Sequence, residues 1–426
     1  MVVTAAREID LSAEANAAGR TSAVSHLPKL KPDELAFLLG LLASPAGKAP
    51  PAFPAKADAA LLWEYFERHG VGGVLGFYAD RIPNLPPALA EAARHRYWSN
   101  CLHSQQALQT CLAIVEAARR AGVTVFFVKG PALVDQGYGD GGLRGFSDLD
   151  LFTGSASEAR RLAEACGARV LIDSEQQNAY QEIRDSGRLV VEVNSRPVEI
   201  RFPVAGWDGP LFDLFPNGRL PELVWTAKGL PVPNAEWHFL FLLHHLMLHH
   251  FFGRFIWLLD LAVLARRERA NLNWEKIIAE SERLALREGL VAAANFCRQH
   301  LDPEFPEIPP LAHPAWNRQF IRHLVEPQVI ATAEKNKQHV SAVRRGWVVL
   351  HGLASYFLMA DVPRTGRPWN GPGGRWTIAR GRCVLARRWR GRLGSWLAGC
   401  LSTLAGGLIY ALARSLAWVS VRQKPQ

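Results

Sequence analysis

The stretch Gly142-Leu143-Arg144-Gly145-Phe146-Ser147-Asp148-Leu149-Asp150-Leu151 decides how this chain is read. From Phe146 to Phe152 its pattern predicts a strand. Side chains alternate across a strand with a period of two, so Leu149 and Leu151 face the core while Asp148 and Asp150 share the other face. Two neighbouring carboxylates repel, and the pair is costly unless a cation stands between them. Taken alone, an Asp-x-Asp is a weak signal, because surface strands often carry one. Its surroundings give it weight. Upstream, Val123-Thr124-Val125-Phe126-Phe127-Val128 is a β-branched and aromatic run after Gly122, which predicts a short buried strand. That strand ends at Lys129-Gly130-Pro131, where Gly130 permits close backbone approach to an anion ahead of a helix beginning near Ala132. Lys129 adds positive charge there.

Downstream, two extended runs between Tyr180 and Asn194 flank Ser186-Gly187, a tight-turn dipeptide, which predicts a pair of antiparallel strands. In the second run Glu192 alternates with Val191 and Val193. If this strand lies beside the Asp-x-Asp strand, three acids converge, the kind of hard oxygen donor set that holds Mg²⁺ against a nucleoside triphosphate. Glu199 is a rival third acid, but Pro197 interrupts its strand and Glu192 is preferred.

Further out the chain reads as helical. Leu35 to Leu42 is a short apolar helix closed by Ser44-Pro45, and Leu61, Leu62, Tyr65 and Phe66 form one helical face. Leu108, Leu112, Val115 and Ala118 form another. Beyond a Pro- and Gly-rich loop from Pro203 to Pro233, Trp237 through Leu264 predicts one long apolar helical region, with helices continuing to about His300. The expected organisation is a disordered N-terminus (1–29), a helical layer (30–121), a central core (122–205), a second helical region (206–340) and a basic, apolar tail (341–426).

Composition sets limits on function. Apolar residues are 49% and charged residues 21% of 426, which excludes a mainly disordered, collagen-like or coiled-coil protein. The net charge of +10 would suggest nucleic acid, yet residues 341–426 hold 14 of the 49 Lys and Arg and one of the 39 acids. The tail is therefore +13 and the body −3, which argues against long nucleic acid as a partner of the body. The six cysteines lack metal-site spacing and read as free thiols of a reducing compartment, and Met1 to Ser25 lacks a signal-peptide core, so a cytoplasmic location is expected. Between Leu393 and Ala413 lie 21 uncharged residues with arginines before and after them. That segment suits a helix docked on the protein, an interfacial anchor at a membrane surface, or a span.

Two patterns are set aside. Gly137-Tyr138-Gly139-Asp140-Gly141-Gly142 satisfies Gly-x-Gly-x-x-Gly, but it follows a helix and opens a strand, the reverse of a dinucleotide site. His244, His245, His249 and His250 include a helically spaced pair, but without a His-Glu-x-x-His arrangement they read as helix-packing histidines. Arg254 and Asp260 suit either a helix-packing pair or a substrate contact.

The order Lys129-Gly130, then Leu143-Arg144-Gly145-Phe146-Ser147-Asp148-Leu149-Asp150-Leu151, then Glu192, resembles the nucleotidyltransferase superfamily with a DNA polymerase β type of palm. Within it the string resembles the uncharacterised bacterial nucleotidyltransferase family, over about residues 30 to 330. Pro131 stands where the superfamily has Gly or Ser, and Asn194 where the family often has His. The resemblance implies an α+β fold in which a small mixed sheet, the polymerase β-like palm, is flanked by N- and C-terminal helical layers. It also implies transfer of a nucleoside monophosphate from a nucleoside triphosphate, ATP first, to an acceptor hydroxyl, for which a small molecule, a peptide or protein and an RNA end all suit the same triad. In that scheme Asp148, Asp150 and Glu192 hold Mg²⁺ and carry catalysis, and Lys129, Gly130, Arg144 and Ser147 contact the triphosphate. A nucleotide-binding or scaffold protein on the same fold, membrane-recruited by its tail, is the alternative.

Overall fold

The computed structural model describes residues 28–146, 148–154, 156–167, 169–170, 180–182, 190–194, 221–249, 252–284, 286–310, 321–322, 324–332, 368–371, 374–379 and 382–386. Four helices come first: α1 (Pro32–Leu42), α2 (Ala59–Arg68), α3 (Gly72–Tyr78) and α4 (Pro87–Ala121). Their ends follow from sequence. Proline opens α1 and α4, where the missing N–H costs nothing, the Asp58 carboxylate accepts from the Leu61 N–H at the start of α2, and Gly122 closes α4 at φ +62°. Buried Glu34 ties α1 to α2 by accepting from the backbone N–H groups of Lys31 and Asp58.

The chain then crosses into a sheet. Strand β1 (Val125–Val128) leads through the four-residue helix α5 (Gly130–Leu133) and a π turn (Val134–Tyr138) to β2 (Asp148–Thr153). After α6 (Ala156–Ala165) come β3 (Arg169–Val170), β4 (Tyr180–Glu182) and β5 (Val190–Asn194). The five strands lie in the order β1-β2-β5-β4-β3, with β2 and β5 parallel and every other pair antiparallel. The antiparallel pairing of β4 with β5 meets the hairpin expectation, with Ser186-Gly187 outside the described residues.

A hairpin of β6 (Leu223–Trp225) and β7 (Pro231–Pro233) precedes the second helical set: α7 (Ala235–His244), α8 (Phe255–Arg267), α9 (Trp274–Arg283), α10 (Arg287–Phe296) and α11 (Pro327–Thr332). The helical region expected from Trp237 to Leu264 is made of two helices. A π turn (His245–His249) follows α7, and Phe252, at φ +57°, donates its N–H to the Leu246 carbonyl before the chain turns into α8. Apolar residues on both sides hide this break, and Gly253-Arg254 is the only local interruption that marks it after Phe252.

Each face of the sheet buries a different helical layer. Val125, Phe127, Leu149 and Leu151 pack on Cys111, Ile114 and Ala118 of α4, Leu162 of α6 and Leu230 and Val232 of the hairpin. Phe126, Val128 and Phe152 join the larger core built by α7, α8 and the N-terminal helices. At about 25 cal/mol per Å² of apolar surface removed from water, fully burying each such side chain stabilises the fold by roughly 1.5–3 kcal/mol. The protein is α+β, mostly helical with small sheets.

In the basic tail a further antiparallel sheet forms from β8 (Pro368–Gly371), β9 (Gly374–Ala379) and β10 (Arg382–Ala386), strands that charge and hydropathy alone did not suggest. Their signal is the pair of β-prone runs Trp376-Thr377-Ile378 and Cys383-Val384-Leu385. Leu393 to Ala413 lies outside the described residues, among which no helix is long and apolar enough to cross a membrane. Cys101, Cys111, Cys166 and Cys297 are free thiols, Cys111 and Cys297 fully buried, and burial pushes the thiols of that pair up.

Helices α3 and α4 pack closely enough to need glycine. A Cβ on Gly76 would stand 2.1 Å from the Ala93 carbonyl oxygen, a backbone atom that cannot swing aside. Gly76→Ala is expected to lower unfolding free energy by about 3 kcal/mol, at the upper end for overpacking, and urea denaturation of the two proteins measures it.

Candidate active site

Pairing in the sheet brings the predicted acids together. In the parallel ladder Asp150 stands opposite Glu192 and Asp148 opposite Val190, so Asp150 and Glu192 occupy one rung and Asp148 lies two residues along the same pleat face. The antiparallel ladder sets Val128 opposite Asp150 and Phe126 opposite Phe152 on that face. The face is thus apolar at one end and acidic at the other, and Asp150 is 5% exposed.

Lys129 follows directly from the end of β1. An extended residue there would project to the face opposite Val128, but Lys129 has φ +58° and ψ −160°, and Gly130 has φ +44°. Such a backbone costs a non-glycine residue about 1–3 kcal/mol and persists where surrounding structure holds it. Here it returns the side chain to the acidic face: Lys129 Nζ donates to Asp150 Oδ2 at 3.0 Å and lies 3.0 Å from His245 Nε2, with both the lysine and the histidine buried. The ammonium also stands 5.8 Å from the Phe241 ring centroid.

An aromatic succession fixes His245. Phe126 stacks on Phe152, Phe152 meets Phe241 edge to face, Phe241 lies parallel to the His245 ring at 6.4 Å, and Trp257 closes on His245 edge-on at 5.9 Å. Arg254 covers the far ring, its guanidinium carbon 5.1 Å from the Trp257 centroid. The histidine cluster, taken from sequence as helix packing, therefore sends one member to the candidate site. His244 is buried in α7, His249 belongs to the π turn, and His250 lies outside the described residues.

A second buried network holds the loop that enters β2. Arg144 donates through Nε and Nη2 to the two carboxylate oxygens of Asp260 on α8, at 2.8 and 2.9 Å, and Tyr138 Oη donates to Asp260 Oδ1 at 2.7 Å. Burial, with Asp260 alongside, holds the Tyr138 phenol well above its usual range. Arg144 is 5% exposed and Asp260 1%, so the guanidinium expected to meet a triphosphate is bound bidentately inside the protein. Asp260 and His245, each 116 residues from its partner, carry no local signal that spacing could have found. Ser147 lies outside the described residues.

The residues of the glycine pattern set aside above serve this loop. Asp140 accepts from Tyr97 Oη and from the Gly142 N–H, and a Cβ on Gly142 would collide with the Tyr97 ring at 2.2 Å. The glycines let the loop lie flat against α4.

Register puts Asp148, Asp150 and Glu192 at neighbouring positions of one pleat face, with the Lys129 ammonium on Asp150, and hard oxygen donors at such positions would suit a divalent cation such as Mg²⁺. Asp148, Asp150 and Glu192 are the residues that would hold it.

A model of a family described as uncharacterised nucleotidyltransferase matches residues 55–302, more than half of the chain. Among solved structures, the chain is similar to the antibiotic-resistance factor ANT(2'')-Ia, whose solution structure it matches over 46% of its own length and 100% of that chain, at 14% identity and a TM-score of 0.30. No curated protein sequence matches it.

Two substitutions read the second network. Asp260→Asn removes the carboxylate charge that the buried Arg144 guanidinium grips with two bonds and is expected to cost about 3–5 kcal/mol, whereas Tyr138→Phe removes one hydrogen bond to the same carboxylate and costs about 1 kcal/mol. Urea unfolding of both variants checks the ranking. The network also imposes an acid sensitivity through His238, which is fully buried against Gln136. Burial first and then Arg144 push its imidazole down to about 3. With the folded value below the unfolded one, near 6.5, the unfolded chain binds the extra proton between them. The contribution is complete above about pH 6.5 and falls by about 1.4 kcal/mol per pH unit below it. His238→Gln should therefore lose about 2 kcal/mol less than the unsubstituted protein between pH 7 and pH 5.

Proposed function

The chain belongs to the uncharacterised nucleotidyltransferase family, and from that premise we propose that it transfers a nucleoside monophosphate from a nucleoside triphosphate, ATP first, to the hydroxyl of an acceptor. The sheet is read as a polymerase β-type palm between an N-terminal helical layer, residues 30–121, and a C-terminal one, residues 206–340. One observation carries the proposal: Asp150 and Glu192 share a rung of the parallel β2–β5 ladder, and Asp148 lies on the same face.

Each residue has a role suited to its place. Asp148, Asp150 and Glu192 would hold Mg²⁺, with Glu192 serving the ion that activates the acceptor oxygen. Bound there, the metal supplies charge neutralisation for the triphosphate and lowers the pKa of the attacking oxygen. The acceptor oxygen bonds to the α-phosphorus as its bond to the β-phosphate bridging oxygen breaks, pyrophosphate departs and the hydroxyl proton passes to solvent. Little covalent work falls to the protein, so positioning and electrostatics dominate. Gly130 permits the phosphates to approach the backbone, Lys129 supplies positive charge, Ser147 donates a hydrogen bond, and Arg144 acts through the loop it anchors. The acceptor hydroxyl belongs to a small molecule, a peptide, a protein or an RNA end, and the −3 charge of the body argues against long nucleic acid. The basic tail provides attraction to an anionic membrane surface.

Calorimetric titration with non-hydrolysable nucleoside triphosphate analogues and Mg²⁺ tests the proposal. Saturable, Mg²⁺-dependent binding that disappears in Asp148→Asn/Asp150→Asn is expected, and absence of binding by any of the four nucleotides from the folded protein overturns it. Glu192→Gln should keep nucleotide affinity within about threefold yet lower turnover by about 100-fold or more, because its ion is needed by the acceptor oxygen. Binding without pyrophosphate release in the presence of candidate acceptors would instead support a nucleotide-binding scaffold.

A further inference from the structure

Two stations of Lys129 bear on the site. Its Nζ is 3.0 Å from Asp150 Oδ2 on one side and 3.0 Å from His245 Nε2 on the other. An ammonium carries only donors, so His245 Nε2 accepts and the ring proton sits on Nδ1. The two stations differ in kind. Asp150 is one of the carboxylates on which the proposed metal would sit, whereas the imidazole between Phe241 and Trp257 is not a hard oxygen donor and would not take that metal.

We infer that Lys129 is a resident counter-ion which a divalent metal displaces from Asp150, and that His245 is the positioning residue that keeps the displaced ammonium at the site to meet the triphosphate. The inference rests on the nucleotidyl-transfer proposal. Its physical basis is charge. Without metal, the carboxylates of this sheet face need a cation, and a buried ammonium needs a carboxylate. With metal on Asp150 the two cations repel at short range, and the contact to Oδ2 is the one that gives way. The Lys129 backbone cannot follow, because its positive φ is built into the turn between β1 and α5. Only the side chain moves, about the contact that His245 retains. Metal and triphosphate thus bind in a linked manner, because the metal frees the charge that the phosphates use.

The test uses the full chain in two titrations, Mn²⁺ alone followed by electron paramagnetic resonance, and a non-hydrolysable ATP analogue with Mg²⁺ followed by calorimetry. Lys129→Met should bind Mn²⁺ about threefold or more tightly than the unsubstituted protein, yet bind the analogue about tenfold more weakly. These opposite signs are not what a merely structural lysine produces. His245→Leu should weaken the analogue about fivefold without tightening Mn²⁺, and His245→Gln, which retains an acceptor, should recover most of that loss. In Lys129→Met/His245→Leu the analogue should bind no more weakly than in Lys129→Met alone, since His245 acts through Lys129.

Unchanged Mn²⁺ affinity in Lys129→Met overturns the counter-ion role. Losses that multiply in the double variant, or unaltered analogue binding in both His245 variants, overturn the positioning role. Failure of the functional proposal is separately visible: if Asp148→Asn/Asp150→Asn still binds Mn²⁺ normally, the metal does not use these carboxylates and both inferences fall. Metal binding at the carboxylates with no analogue binding would retain the counter-ion and remove His245 from any part in triphosphate recognition.

Discussion

Like-charge repulsion on one face of a sheet is the constraint around which this protein is built. Register sets Asp150 beside Glu192 and Asp148 two residues along, and a fold that concentrates carboxylates in this way must supply positive charge. Lys129 supplies it from the adjacent strand end at the cost of a backbone conformation that a non-glycine residue seldom adopts. Taking an ammonium and a carboxylate out of water costs several kcal/mol per ion, so the pair is not explained by stability alone. A sheet designed only to fold would place apolar residues there.

The remaining architecture holds that arrangement in place from both sides. Toward α4, Leu149 and Leu151 anchor β2 in an apolar layer, so Asp150 between them cannot rotate away. Toward α7 and α8, the same strands carry Phe126 and Phe152, and the aromatic contacts begun there continue to His245 and Trp257. The loop that delivers β2 is tied down by Arg144 on Asp260, with Tyr138 closing the network from the turn after α5. Both ends of the strand–turn–helix unit are therefore held by groups from α7, α8 and the turn between them. The helical layers are parts of the candidate site, not merely its cover.

That division explains why nucleotidyl chemistry suits the site. Phosphoryl-group transfer asks a protein chiefly for fixed charges at fixed separations, and covalent participation is small. A rigid parallel ladder provides fixed separations, and buried ion pairs provide charges that solvent does not screen. Family membership agrees with this at the level of reaction class. The choice of acceptor belongs to surfaces that register and charge balance do not define.

What the sequence determined by itself was local and periodic. The alternation around Asp148 and Asp150, the β-branched run before Lys129, the turn dipeptide between Tyr180 and Asn194 and the helical spacing of Leu108, Leu112 and Val115 each involve residues within a few positions, where period and turn chemistry suffice. Tertiary structure decided the rest. That β5 pairs with β2 in parallel, bringing Glu192 level with Asp150, depends on a crossover that no local pattern encodes. That Asp260 meets Arg144, and that one histidine of four reaches Lys129, depends on helices separated from their partners by 116 residues. Past His249 the described chain includes Phe252 in the left-handed region, a conformation that hydropathy does not see. Periodicity reports which face a residue occupies, but only packing of the whole chain decides what stands opposite that face.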